Sequence, residues 1–184
     1  MNDFFPSVGL FRKGYSKAEV DEFFQKARQA YEGDRTGPMF SSEQVRKMTF
    51  PLKRRGYDPA VVDAALDRLE SAFISSERAN HVAVNGEEVW LDHVADRATT
   101  LYPRLVRPVG ERFSHPEPKE RGYRASEVDA FLDRIASFFD DDEVLTADEV
   151  RRVTFSVAKG EDAYLEGPVD AYLSRTIDIL LSIE

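Results

Sequence analysis

The sequence predicts an all-α fold of duplicated short-helix/loop/long-helix units packed as pseudo-symmetric helical pairs. Three observations predict it. One phrase recurs four times: "GYSKAEVDEFF" at 14–24, "GYDPAVVDAAL" at 56–66, "GYRASEVDAFL" at 122–132 and "AYLEGPVDAYL" at 163–173. A second phrase recurs twice, "SSEQVRKMTF" at 41–50 and "TADEVRRVTF" at 146–155. Each copy of the first phrase opens an apolar stripe at helical spacing.

Aligned on the tyrosine, the first phrase reads Y-x4-V-D. Tyr15, Tyr57, Tyr123 and Tyr164 each stand five residues before Val20, Val62, Val128 and Val169, and Asp21, Asp63, Asp129 and Asp170 follow. From each valine a stripe falls at i, i+3, i+4, i+7 and i+11, apolar throughout except for Thr176 in the fourth copy: Val20, Phe23, Phe24, Ala27 and Tyr31 in the first copy, Val128, Phe131, Leu132, Ile135 and Phe139 in the third. This is one face of an α-helix of about four turns. Ser16 with Glu19 fits a capping box, and Asp58 before Pro59 fits an N-cap with proline at the first helical position. Glycine before the tyrosine reads as a turn residue. The aspartates sit in the first helical turn, where the helix dipole favours negative charge. One such helix cannot bury its stripe alone, so the copies are expected to pack side by side, 16–31 with 58–73 and 124–139 with 167–181.

The second phrase predicts two short helices, with Ser41 and Gln44 answering Thr146 and Glu149 as capping boxes. Phe5 and Phe113 each stand ten residues before their tyrosine. The chain is thus a duplication of a duplication: residues 1–75 hold the first pair of repeat units, 112–184 the second, and 76–111 form a partly helical connector. In the connector a helix capped near Asn85 turns Trp90, Val94, Ala98 and Leu101 inward and stops at Pro103.

With 184 residues, 42% hydrophobic and 32% charged, the chain is long enough to bury a core. Cysteine is absent, which excludes disulfides and thiolate metal sites and suggests a reducing compartment. The opening "MNDFFPSVGLF" lacks the cationic start and long apolar run of a secretory signal. A cytoplasmic protein is expected. Lys and Arg number 12 against 11 Asp and Glu in residues 1–75, but 9 against 17 in 112–184, where the acidity argues against a broad phosphate-contacting surface and hence against nucleic acid. The one basic cluster is Arg46, Lys47, Lys53, Arg54 and Arg55. The acidic run Asp140, Asp141, Asp142 and Glu143 lacks the alternating ligands and glycine of a calcium loop and reads as a solvated linker. His81, His93 and His115 are too scattered for a metal-ligand pair. No nucleophile with a base, no phosphate-cradling glycine loop and no metal-ligand spacing is found, so no catalytic, metal or cofactor site is expected and the chain reads as a non-enzyme.

The Gly-Tyr element, its V-D and the capped amphipathic helix resemble the N-terminal domain of DivIVA, the bacterial division and polar-growth protein. The closer likeness is to the domain-repeat branch, in which the short unit recurs within one chain. In that family the domain forms a parallel helical dimer, and a phenylalanine and an arginine just before Gly-Tyr meet the membrane. Phe11 and Arg12 match that pair, with Lys13 added before Gly14; the second copy offers Leu52, Lys53, Arg54 and Arg55. The resemblance implies a scaffold or adaptor acting through protein partners in division or polar envelope growth, at the septum or pole. An alternative is a peripheral module that meets an anionic membrane with the Phe11–Lys13 loop and the 46–55 cluster. Taken as a residue type alone, Phe11 reads more readily as a core phenylalanine beside a solvated arginine, because buried phenylalanine is the commoner case. Two repeat units per half can make the family's pair internally, which leaves the oligomeric state open.

Overall fold

The computed structural model describes residues 4–9, 11–32, 40–140 and 142–183. Asp141 of the acidic run, and residues 33–39 of the connection between the first two copies, lie outside them. The chain divides into two compact units, 1–80 and 81–184.

The first unit holds β1 (Lys13–Tyr15), α1 (Lys17–Tyr31), α2 (Ser42–Arg46), β2 (Leu52–Arg54) and the start of α3 (Pro59–Asn85). β1 and β2 pair antiparallel with Lys13 opposite Arg54 and Tyr15 opposite Leu52. Tyr15 and Tyr57 exchange both backbone hydrogen bonds at 2.9 Å. The core gathers Val20, Phe23 and Ala27 from α1, Val45 from α2, and Val62 and Phe73 from α3, closed by Phe50 and Tyr57. Rings at equal distance along the two long helices also meet: Tyr31 and Phe73, each sixteen residues after its tyrosine, have centroids 5.8 Å apart.

The second unit holds α4 (Glu87–Thr99), α5 (Tyr102–Leu105), β3 (Arg121–Arg124), α6 (Ala125–Phe139), α7 (Ala147–Arg152), β4 (Val157–Lys159), a 3-10 turn at Gly160–Asp162, β5 (Ala163–Tyr164) and α8 (Glu166–Ile183). Its strands lie in the order β4-β3-β5, and β3 pairs with β4 in the register of β1 with β2: Arg121 opposite Lys159, Tyr123 opposite Val157. The stripe residues Val128, Phe131, Leu132 and Ile135 share a core with Val169, Tyr172, Leu173 and Leu180. The nearest helical neighbours of α8 are nevertheless α7 and α4, and that of α6 is α5, so the expected side-by-side pairing of 124–139 with 167–181 is not the closest packing here. Trp90, Val94, Leu101 and Leu105, from the segment read as a connector, belong to this same core. Buried Trp90 donates its Nε1–H to the Ser182 carbonyl at 3.0 Å.

The fold is mainly α, with five short strands among the described residues that the all-α expectation lacked. Strands of two to four residues are too short to carry a period-two signal. Both short helices begin in the expected capping boxes: Ser41 with Gln44, and Thr146 with Glu149. Asp58 Oδ1 accepts the Ala60 N–H at 3.1 Å, with Pro59 leading α3.

Other local expectations are corrected. Ser16 makes no side-chain cap; its N–H donates to the Pro51 carbonyl at 2.9 Å. In the second unit Arg124 N–H bonds Ser156 in the same way, and Glu127 accepts the Ser156 N–H at 2.6 Å. Proline has no N–H to give Glu19, which pairs instead with Lys53 at 3.2 Å. The long helix of the second copy runs on to Asn85, because no proline or glycine interrupts it before Gly86, the N-cap of α4 at φ 91°. Pro103 lies in the first turn of α5, where its missing N–H costs nothing.

Candidate functional site

The glycines of the phrase do not serve as turn residues. Gly14, Gly56 and Gly122 all lie outside the positive-φ region. A Cβ on Gly14 would fall 2.2 Å from the Tyr57 carbonyl oxygen, one on Gly56 2.4 Å from Gly14, and one on Gly122 2.0 Å from the Tyr164 carbonyl oxygen. They are where two copies cross backbone on backbone. The fourth copy carries Ala163 at this place.

The tyrosines and aspartates meet across that crossing. Tyr15 reaches Asp63 at 3.5 Å, and Tyr123 lies close enough to Asp170 for its charge to act on the Tyr123 hydroxyl. Tyr164 in turn reaches Asp129, its hydroxyl 3.0 Å from both carboxylate oxygens. In three of the four copies, then, the tyrosine engages the aspartate of the neighbouring copy. In the first copy Asp21 keeps one buried carboxylate oxygen without a hydrogen-bond partner. Tyr57 accepts the Phe4 N–H at 3.0 Å, as Tyr164 accepts the Arg112 N–H at 3.1 Å. Phe5 and Phe113 stand edge-on to those same tyrosines, each at 5.4 Å.

The second unit adds an ionic knot. Buried Arg112 donates to the Asp129 carbonyl at 2.8 Å and to Asp133 at 2.5 Å, while Gly110 N–H donates to Asp129 at 2.8 Å. His115 sets its ring nitrogens 2.7 Å from the Ala163 carbonyl oxygen and 2.9 Å from that of Gly110. Burial, helped by Asp129, pushes the Tyr164 hydroxyl up to about 12. Burial likewise raises Tyr15 and Tyr123, each helped by its aspartate. Asp63 is itself raised by burial, against the hydrogen bond from Tyr15. The dipole reading of the aspartates is therefore incomplete. Their fixed offset from a tyrosine was a usable signal, but the partner sits in another copy.

The six residues matched or grouped with the membrane pair come together on one tip. Phe11 is fully exposed (102%) in the turn that enters β1, closed by an Arg12 N–H to Gly9 carbonyl bond of 2.9 Å. This removes the core reading of Phe11. Arg12 and Lys13 are exposed beside it, and the ladder sets Lys13 against Arg54 and Gly14 against Lys53, with Arg55 closing the β2 turn at φ 57°. Among the described residues Arg12, Lys13, Arg54 and Arg55 have no ion-pair partner, whereas Lys53 has Glu19. Arg46 and Lys47 leave the cluster: Arg46 binds largely buried Glu70 at 2.5 Å and Lys47 binds Glu43 at 2.6 Å. The matching turn of the second unit carries Lys119, Glu120 and Arg121, without an aromatic residue.

Among the described residues no group of three or more His, Cys, Asp or Glu is placed to hold a metal ion, and no helix is long and apolar enough to cross a membrane. No protein-family model matches the chain, and neither a curated protein nor a solved structure is similar to it.

Proposed function

We propose that this chain is a non-enzymatic adaptor of the DivIVA-repeat kind, in which the family's two-chain pair is made within one chain and the Phe11 tip meets an anionic membrane surface. The observation that carries the reading is Phe11, fully exposed amid Arg12, Lys13 and Arg54. The Tyr-Asp bonds support an internal pseudo-dimer: in each unit a tyrosine, Tyr15 in one and Tyr164 in the other, reaches the aspartate of the opposite copy, as in a two-fold pair. Protein partners in envelope growth or division would use the remaining surface.

The energetics make such a tip a weak, reversible contact. Burying one phenylalanine contributes about 2 kcal/mol. Four basic side chains at an anionic surface add roughly 1 kcal/mol each. The upper bound of about 6 kcal/mol corresponds to a dissociation constant on the order of 10–100 μM, so stable attachment would need several chains or a partner.

Co-sedimentation with anionic and with zwitterionic vesicles tests this, at low and at high salt. The expected result is binding to anionic vesicles that fades with salt and is lost in Phe11→Ala. No binding at low salt, or binding unchanged by Phe11→Ala, removes the membrane half of the proposal. Crosslinking with affinity purification from the native cell tests the adaptor half; a turnover activity abolished by one point substitution would end it.

A further inference from the structure

The second unit contains a cavity of about 310 Å³ between residues 100–107 and the first half of α8. Three arginines line it, Arg104, Arg107 and Arg175, together with Thr100 and Tyr172. The rest of its lining is aliphatic and includes no carboxylate. This is out of pattern for an acidic chain. Many arginines elsewhere, outside the Phe11 tip, stand against carboxylates: Arg46 with Glu70, Arg112 with Asp133, Arg134 with Glu143, Arg152 with Asp148. Arg107 and Arg175 have no ion-pair partner among the described residues.

The two hydroxyls that line the cavity are already committed. Thr100 donates to the Arg97 carbonyl at 2.6 Å and Tyr172 to the Leu101 carbonyl at 3.3 Å. The uncommitted polar side chains are therefore donors with positive charge. Arg104 is held in place by a 2.7 Å bond to the Arg112 carbonyl and by stacking 4.7 Å above the Phe113 ring. Burial and the neighbouring charge of Arg107 lower the Arg104 pKa, the mark of like charges gathered without a counterion.

We propose that this cavity binds the phosphoryl group of a small phosphomonoester. Three arginines in a site without a carboxylate call for a ligand with several acceptor oxygens and more than one negative charge. Guanidinium forks pair bidentately with phosphate oxygens. A single carboxylate offers only two oxygens and one charge. The volume is at the small end of ligand pockets, and its aliphatic wall leaves room for a compact apolar group beyond the phosphoryl. The proposal is independent of the membrane tip, which lies in the other unit.

The test is an NMR titration of the full chain at fixed ionic strength with phenyl phosphate, inorganic phosphate and benzoate. Expected are saturable amide shifts at Arg107, Ala171 and Arg175 with phenyl phosphate, weaker ones with inorganic phosphate, and at least tenfold weaker binding in the Arg107→Gln/Arg175→Gln double variant. Arg121→Gln, an exposed arginine of β3, should leave binding unchanged. Absence of saturable shifts up to about 10 mM, where even a millimolar site would be mostly filled, overturns the proposal. So does benzoate binding as tightly as phenyl phosphate, or an equal loss in Arg121→Gln. Phosphatidate vesicles, tested in a Phe11→Ala background, separate the sources of the phosphoryl group. If the double variant abolishes vesicle binding while phenyl phosphate is silent, the ligand is a lipid headgroup and the small-molecule proposal falls.

Discussion

The Tyr164 hydroxyl lies 3.0 Å from both carboxylate oxygens of Asp129 and accepts the Arg112 N–H at 3.1 Å. All three residues are buried, so each group depends on the others for its hydrogen bonds. Tyr164→Phe leaves Asp129 short of a donor and the Arg112 N–H without an acceptor. The expected loss is about 1–3 kcal/mol in the second unit. Tyr15→Phe removes only a 3.5 Å exposed contact to Asp63 and should cost less than about 0.5 kcal/mol. Denaturant melts followed by Trp90 fluorescence report the Tyr164 variant; backbone circular dichroism reports the other. Equal losses would mean that burial of the Tyr164-Asp129 bond is not what sets its weight.

Gly122 and Gly167 lie in the same unit and should respond to alanine with opposite signs. At Gly122 the new Cβ falls 2.0 Å from the Tyr164 carbonyl oxygen, a backbone atom that cannot swing away, so β3 and β5 must part. Overpacking of this kind should cost at least about 3 kcal/mol. At Gly167 nothing lies within 4 Å, and the residue is in the first turn of α8. There alanine should stabilise by about 0.5–1 kcal/mol. The same Trp90 melts decide both, and a stable Gly122→Ala would refute the backbone crossing.

These two glycines also show what could be read in advance. The stripes from Val20, Val62, Val128 and Val169 were legible because helical spacing is a local signal, and so were the Ser41 and Thr146 caps. The role of Gly122 was not, since the atom that forbids a side chain belongs to Tyr164, forty-two positions away. Asp129 illustrates the same limit: its first-turn position suffices for a dipole argument, and the tyrosine that binds it comes from the next copy. Phe11 could be placed next to Gly-Tyr by pattern, but its exposure depends on how β1 enters its ladder. The arginines at 104, 107 and 175 share no motif, and only the packing of α8 near residues 100–107 gathers them.

Alkaline pH should unfold the second unit before the backbone itself is affected. Burial pushes the Tyr164 hydroxyl up to about 12 and raises Tyr172 further. An unfolded tyrosine releases its proton near its ordinary pKa of about 10. Between those values the unfolded chain has lost the proton that the folded chain keeps, so stability is full below pH of about 10 and falls as pH rises toward 12. Denaturation at about pH 9 and about pH 11 should show the loss, smaller in Tyr164→Phe than in the parent. An identical loss in the variant would assign the effect elsewhere.

Arg55 connects stability to the proposed tip. Its φ of 57° is left-handed, and the residue in the same register of the second unit is Gly160, at φ 55°. A side chain in that region costs about 1–2 kcal/mol. Glycine removes that cost but adds roughly 0.5–1 kcal/mol of chain entropy. Arg55→Gly should therefore stabilise the first unit by up to about 1 kcal/mol. It also removes one basic charge beside Phe11, worth about 1 kcal/mol at an anionic surface, so vesicle binding should weaken about fivefold. Arg55→Lys keeps both the strain and the charge and should change neither quantity. Hydrogen exchange at the Tyr15 and Tyr57 amides, which bond each other's carbonyls at 2.9 Å, reads the stability, and co-sedimentation reads the binding. A more stable Arg55→Gly with undiminished binding would take Arg55 out of the lipid contact. A less stable one would show that the arginine side chain gains more in its place than its backbone loses.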